Sequence, residues 1–153
     1  MSELCIQAQD FLNAILAGAG FDLRARDEEQ QSGGCFLNID GNDSSLLLNE
    51  SGELLETLQH LLNQAFGRSL TKDERIICDV QGFRATREAE LRAMARHAAD
   101  RVRSTGVAFT FGPMSANERR VIHLALSTHD ELHTESIGEG FNRRLKVSLK
   151  TSP

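Results

Sequence analysis

The chain has 153 residues, room for one ordinary domain or two small ones and too few for a large barrel enzyme. With 40% hydrophobic and 25% charged residues it has the composition of a globular protein with a real core, which excludes wholesale disorder, and no apolar run approaches the roughly 20 residues of a spanning helix. The net charge of −5 hides a polarity: residues 1–82 carry five basic against fourteen acidic residues, whereas 83–153 carry twelve against eight, ten of the twelve being arginine. Guanidinium groups fork onto phosphate and stack on bases, so the second half is the one suited to a polyanion.

The opening MSELCIQAQD lacks the basic start and apolar stretch of a secretion signal, so no membrane partner and a cytoplasmic location are expected. Cys5, Cys35 and Cys78 are far apart, odd in number and without a C-x-x-C pair. They read as buried thiols, with neither a disulfide framework nor a cysteine metal site signalled.

Leu4, Ala8, Phe11, Leu12, Ile15 and Leu16 repeat at helical spacing after a capping Ser2, predicting a helix over about 3–17 that Gly18 and Gly20 stop. FDLRARD (21–27) and CFLNID (35–40) alternate as strands, with EEQQSGG (28–34) between them as a hairpin turn. A short helix, a break at Asn49 to Gly52 and a longer helix with Leu54, Leu55, Leu58, Leu61, Leu62 and Phe66 inward follow, and RIICDV (75–80) is a third strand.

After Gly82, Leu91, Met94, Ala95, Ala98 and Val102 mark an amphipathic helix ending near Gly106 that connects the halves, with Arg87, Arg92, Arg96 and Arg103 on its polar faces. Val107, Phe109 and Phe111 alternate as a strand. Ser115 and Glu118 form a capping-box pattern that opens a helix through about Ser127. LHTESI and RRLKVSLK end the chain as strands, the last with Leu145, Val147 and Leu149 on one face and Arg144, Lys146 and Lys150 on the other.

The element order of residues 1–82 resembles a type II KH domain, an α/β fold that clamps single-stranded RNA or DNA with a G-x-x-G loop between two helices. The loop's glycines let a phosphate backbone approach a helix N-terminus closely. The equivalent stretch here is Asn49-Glu50-Ser51-Gly52, in which the first glycine is replaced and a usually basic position is the acid Glu50. A carboxylate there repels phosphate, so this half keeps the fold with a degenerate loop.

Residues 83–153 resemble an R-3-H domain, named for an arginine and a histidine three residues apart, here Arg119 and His123 in MSANERRVIHLAL. That spacing puts both on one helical face, where a guanidinium and an imidazole can meet the same phosphate or base. The match extends over Pro113, Met114, Glu118, Arg120, Ala125 and Leu126, then Gly138, Glu139, Asn142, Arg143 and Arg144. A KH domain followed by an R-3-H domain, with LLETLQHLLN, QGFRATREAEL and VRSTG in place, is similar to the bacterial Jag family of SpoIIIJ-associated RNA-binding proteins. The resemblance implies a non-catalytic, post-transcriptional regulator that binds single-stranded RNA, or DNA. Arg119 and His123 are the main site, and Arg120, Arg143, Arg144, Lys146 and Lys150 give phosphate contacts.

A rival reading is an adaptor whose acidic KH half docks a protein partner. Catalytic and cofactor signals are thin: there is no G-x-x-x-x-G-K, and His129-Asp130-Glu131-Leu132-His133 departs from the H-E-x-x-H zinc helix at its second position and lies in a loop-like segment. Neither an enzyme nor a metal site is expected.

Overall fold

A computed structural model describes residues 2–30 and 34–151, which form two compact units, Met1–Arg84 and Ala85–Pro153. In the first unit the order is α1 (Glu3–Gly18), β1 (Arg24–Asp27), β2 (Cys35–Asp40), α2 (Ser44–Leu48), α3 (Glu53–Phe66) and β3 (Ile76–Asp79). β2 lies in the centre of the sheet, antiparallel to β1 and parallel to β3. This is the α-β-β-α-α-β order that the KH resemblance implies. The hairpin turn expected over 28–34 falls partly outside the described residues.

The first strand is shorter than its alternation suggests because its leading residues are held elsewhere. The Phe21 amide donates to the Leu16 carbonyl to close α1, with Gly20 at φ +79°, and the Asp22 amide donates to the Asp43 carboxylate at 2.7 Å. The sheet's outer edges are occupied by helix amides spaced four apart. On α1, Gln9 accepts from the Asp27 amide and Asn13 bonds both the N–H and the carbonyl of Ala25. On α3, Gln59 accepts from the Cys78 amide and Asn63 bonds both backbone groups of Ile76. Spacing of four keeps each pair on one helix face, so the same turns that bury Leu12, Leu16, Leu58 and Leu62 also satisfy strand edges that would otherwise invite pairing. Leu61, placed inward by its spacing, is instead 42% exposed.

The cysteines differ from expectation. All three are buried, but Cys5 at the start of α1 and Cys35 at the start of β2 form a disulfide, their Cα atoms 5.3 Å apart. Sequence separation of 30 residues carries no spacing signal, and only the packing of α1 across β2 brings the two together. Cys78 stays a free thiol, and burial pushes its pKa up to about 12, which keeps it protonated and inert.

The second unit contains most of α4 (Phe83–Thr105), then β4 (Phe109–Thr110), α5 (Ala116–Leu126), β5 (Leu132–Ile137) and β6 (Arg144–Leu149). β6 is central and antiparallel to both neighbours. Leu91, Ala95, Ala98, Ala99 and Val102 of α4 and Ile122 and Leu126 of α5 share one core with Leu132, Leu145 and Val147 of the sheet. Met94 is 37% exposed, at the margin of the stripe it helps to define. The strand over Val107–Phe111 shrinks to two paired residues, Val107 being turned to solvent with its amide on the Thr105 hydroxyl. Among the described residues, no helix is long and apolar enough to cross a membrane.

Candidate nucleic-acid interface

The interface is built on the start of α5. Ser115 caps it, its Oγ accepting from the Glu118 amide at 3.2 Å. Only half of the expected capping box forms, because the Glu118 carboxylate turns inward to Arg87, whose Nε donates to it at 2.7 Å. Glu118 is 9% exposed and Arg87 also pairs with Glu90, so the Arg87 placed on a polar face by its spacing is in fact the clamp between α4 and α5. The Glu118 hydrogen bond holds the Arg87 guanidinium above its ordinary pKa. With its carboxylate neutralised, Glu118 leaves the positive field of Arg119 and Arg120 beside it uncancelled.

Arg119 is half-buried against the loop that precedes its own helix. Its Nη1 donates to the Met114 carbonyl at 2.8 Å, and the Met114 amide donates to the Arg143 carbonyl at 3.2 Å. One short peptide segment therefore brings Arg119 and Arg143 together. The Arg119 Nε is buried and has no hydrogen-bond partner among the described residues, an unsatisfied charged donor that burial makes costly. One turn further along the same helix His123 is exposed, with its Nδ1 2.5 Å from the Thr134 hydroxyl of β5. That contact fixes the ring and leaves Nε2 as its second polar atom. Arg120 is exposed on the outer side of α5.

The remaining basic residues divide by strand alternation. Leu145 and Val147 point into the core under α5, so Arg144 and Lys146, set opposite Ile137 and Glu135 of β5, lie on the other face of the sheet. Lys150 lies just past β6 and is exposed. The set named from sequence thus forms two surfaces: Arg119, Arg120, His123 and Arg143 around α5, and Arg144 and Lys146 on the far side of the sheet.

The loop of the first unit is differently made. Glu50 (φ 52°), Ser51 (φ 57°) and Gly52 (φ 81°) all take left-handed backbone, while Asn49, the missing first glycine, has φ −61° and needs no glycine. Gly52 cannot be replaced cheaply: a Cβ there would stand 2.5 Å from the Phe83 ring. α3 begins without a side-chain cap and with Glu53 and Glu56 in its first turn, so three carboxylates with Glu50 surround the helix end that would receive a phosphate. Arg84 offsets only one of them, through its Nη1 at 3.0 Å from Glu56.

The HDELH segment is a turn over His129 to Glu131 that runs into β5 at Leu132 and His133. Arg103 sits between its polar groups, with Nη2 2.6 Å from His129 Nδ1 and Nε donating to Glu131. Glu131's own backbone amide and then Arg103 hold its carboxyl below the ordinary range. Reasoning from sequence named Arg87 and Met114 without their contacts and did not name Thr134. Their roles depend on contacts 31, 5 and 11 residues away in the chain, which periodicity does not register.

Residues 89–149 match the R-3-H domain family, which makes the second unit an R-3-H-domain module. Curated relatives share more of the chain. It is 32% identical over 114 residues to "RNA-binding protein KhpB" of Clostridium symbiosum, covering 74% of this chain and 51% of the relative. It is also 32% identical over 115 residues to the protein of that name from Bacillus subtilis, covering 74% and 55%. The Lactiplantibacillus plantarum protein of that name is 28% identical over 114 residues, covering 74% and 35%. The chain is thus similar, over 74% of its length, to proteins of the bacterial Jag type, and it spans about half the length of the first two.

Proposed function

We propose that the protein binds single-stranded nucleic acid, RNA in preference to DNA, as a non-catalytic post-transcriptional regulator, and that residues 83–153 carry the binding. The supporting observation is the cluster at the start of α5, where Arg119 donates to the Met114 carbonyl, the Met114 amide donates to the Arg143 carbonyl, and Arg120 and His123 are exposed beside them. The Arg119 guanidinium would meet one phosphate oxygen, and His123 one turn on would reach the next phosphate or base. Arg120 would add to the same surface. Arg144, Lys146 and Lys150 form a second, weaker set that a longer strand would use. The relatives named RNA-binding proteins support the same reading.

The first unit favours a different partner. Glu50 and Glu53 at the start of α3, where Glu56 is held by Arg84, fit a basic protein surface better than a phosphate backbone, so we assign the degenerate loop Asn49-Glu50-Ser51-Gly52 to protein contact.

The test is the salt dependence of binding to a single-stranded oligoribonucleotide. Phosphate neutralisation on a single strand gives a slope of about −0.7 per contact. Arg119→Ala should weaken binding by about tenfold and lower the slope by about one contact. His123→Ala should weaken it less, since it removes a single exposed ring contact one turn further along the helix. Unchanged affinity in both folded variants would remove the cluster from the site.

A further inference from the structure

We infer that Phe141 is a nucleobase-stacking residue, adding a base-reading subsite to the phosphate-binding cluster; this rests on the nucleic-acid reading above. Phe141 is 92% exposed, the most exposed of the large hydrophobic residues described. Water reaches nearly the whole ring, so a flat ligand stacked on it would bury apolar surface that the fold leaves exposed, and its chain neighbours Glu139, Gly140 and Asn142 are exposed and not large apolar residues.

The ring is carried by an ordered turn, not a frayed loop. Gly138 (φ +83°) and Gly140 (φ +55°) bend the backbone, the Asn142 amide donates to the Glu139 carbonyl at 3.1 Å, and the Arg143 amide donates to the Gly140 carbonyl at 3.2 Å. Side chains tighten it further: Arg143 Nη1 donates to the Gly138 carbonyl at 2.9 Å and Arg144 Nε to the Asn142 carbonyl at 3.3 Å. A Cβ on Gly138 would stand 3.0 Å from the Asn142 oxygen, so the turn closes tightly on itself. The ring is thus presented with little ordering left to do on binding.

Charge and chemistry point to a base. Arg143 and Arg144 follow Phe141 by two and three residues, with Glu139 the one acid in the turn, and Arg143's carbonyl is the group that meets Met114 beside Arg119. Phosphate contacts and a free aromatic plane side by side are what single-strand binding uses, since every base offers a π-face. The chain has neither Trp nor Tyr. In the second unit the other phenylalanines are engaged, Phe109 and Phe111 packing edge to face at 5.0 Å with Arg101 over Phe109.

That composition supplies the probe. In the full chain, Phe141→Trp introduces the only tryptophan, whose emission reports that ring alone. An eight-nucleotide oligoadenylate should quench it, whereas an abasic phosphodiester strand of equal length and charge should not. Phe141→Ala should weaken binding of the oligoadenylate about fivefold or more, leaving the salt slope and the affinity for the abasic strand unchanged. Unchanged oligoadenylate affinity in Phe141→Ala, with the wild-type chain still binding, overturns the stacking role and leaves the nucleic-acid reading standing. Equal losses on both strands overturn it too, since the ring would then act only through the turn. Self-association that disappears in Phe141→Ala while oligoadenylate binding does not change would assign the ring to a protein contact instead. Absence of binding to either strand by the wild-type chain overturns the reading and the inference together.

Discussion

Each unit starts a helix beside a loop that could receive a phosphate, and the two starts are opposites. At α3 the cap is a glycine without a side chain to offer, and Glu50, Glu53 and Glu56 answer the helix's positive end themselves. At α5 a serine caps the helix, the one acid of the first turn is withdrawn into an ion pair with Arg87, and Arg119, Arg120 and His123 project from the turns that follow. The fields differ because of where one carboxylate goes more than because of how many there are. A glutamate paired with arginine in the protein interior adds almost no repulsion at the surface, while an exposed one at a helix N-terminus occupies the favourable spot.

The comparison extends to how the units are held together, and the largest expected effect separates them. The first has a covalent tie across 30 residues of chain, so reducing it, or making Cys5→Ser, should lower that unit's stability by roughly 3 kcal/mol. Hydrogen exchange read separately for the two units should show the loss in 2–84 and none in 85–151. An equal loss in both would mean that they unfold as one body.

In the second unit the corresponding tie is Arg87 to Glu118. Arg87→Met should cost about 2 kcal/mol by leaving a carboxylate that is 9% exposed without its partner, less than for a fully buried pair because Arg87 keeps some solvent. Adding Glu118→Leu should recover most of it, since an apolar pair of similar volume needs no counter-charge. Urea melts of the single and double variants measure this directly. RNA affinity should fall in Arg87→Met more than stability alone accounts for, because Glu118 is then free to face the cluster.

The smallest effect concerns Glu50. Its left-handed backbone costs a side-chain residue about 1–2 kcal/mol, and glycine forfeits part of that gain in the unfolded chain, so Glu50→Gly should stabilise the first unit by about 0.5 kcal/mol. It should not create an RNA site, because Glu53 and Glu56 remain in the first turn of α3. A gain in affinity would show that Glu50 alone silences the loop.

Element identity was legible where periodicity is local. Helix Glu3–Gly18, strand Cys35–Asp40, the break at Asn49–Gly52 and helix Ala116–Leu126 are all visible in runs of hydrophobic spacing and caps. What was not legible is what the fold alone decides. Phe21 and Asp22 alternate like a strand but are drawn off by Leu16 and Asp43. Cys5 and Cys35 carry no spacing that predicts a bond. The basic residues of RRLKVSLK look like one run, yet Arg143 closes the turn before β6 with its carbonyl on the Met114 amide, while Arg144 and Lys146 lie on the sheet face away from α5. Arg119 and His123 could be named from their spacing of four, but not the Met114 and Thr134 groups that fix them.

The central claim is that the second unit does the binding and the first does not. Amide chemical shifts of the uniformly labelled full chain, followed during titration with a single-stranded oligoribonucleotide, test it most directly. The account predicts perturbations concentrated at Met114, Arg119, His123, Thr134 and Phe141 to Arg143, with Asn49 to Glu56 unmoved. Perturbations centred on Asn49 to Glu56, with the α5 resonances unshifted, would contradict it.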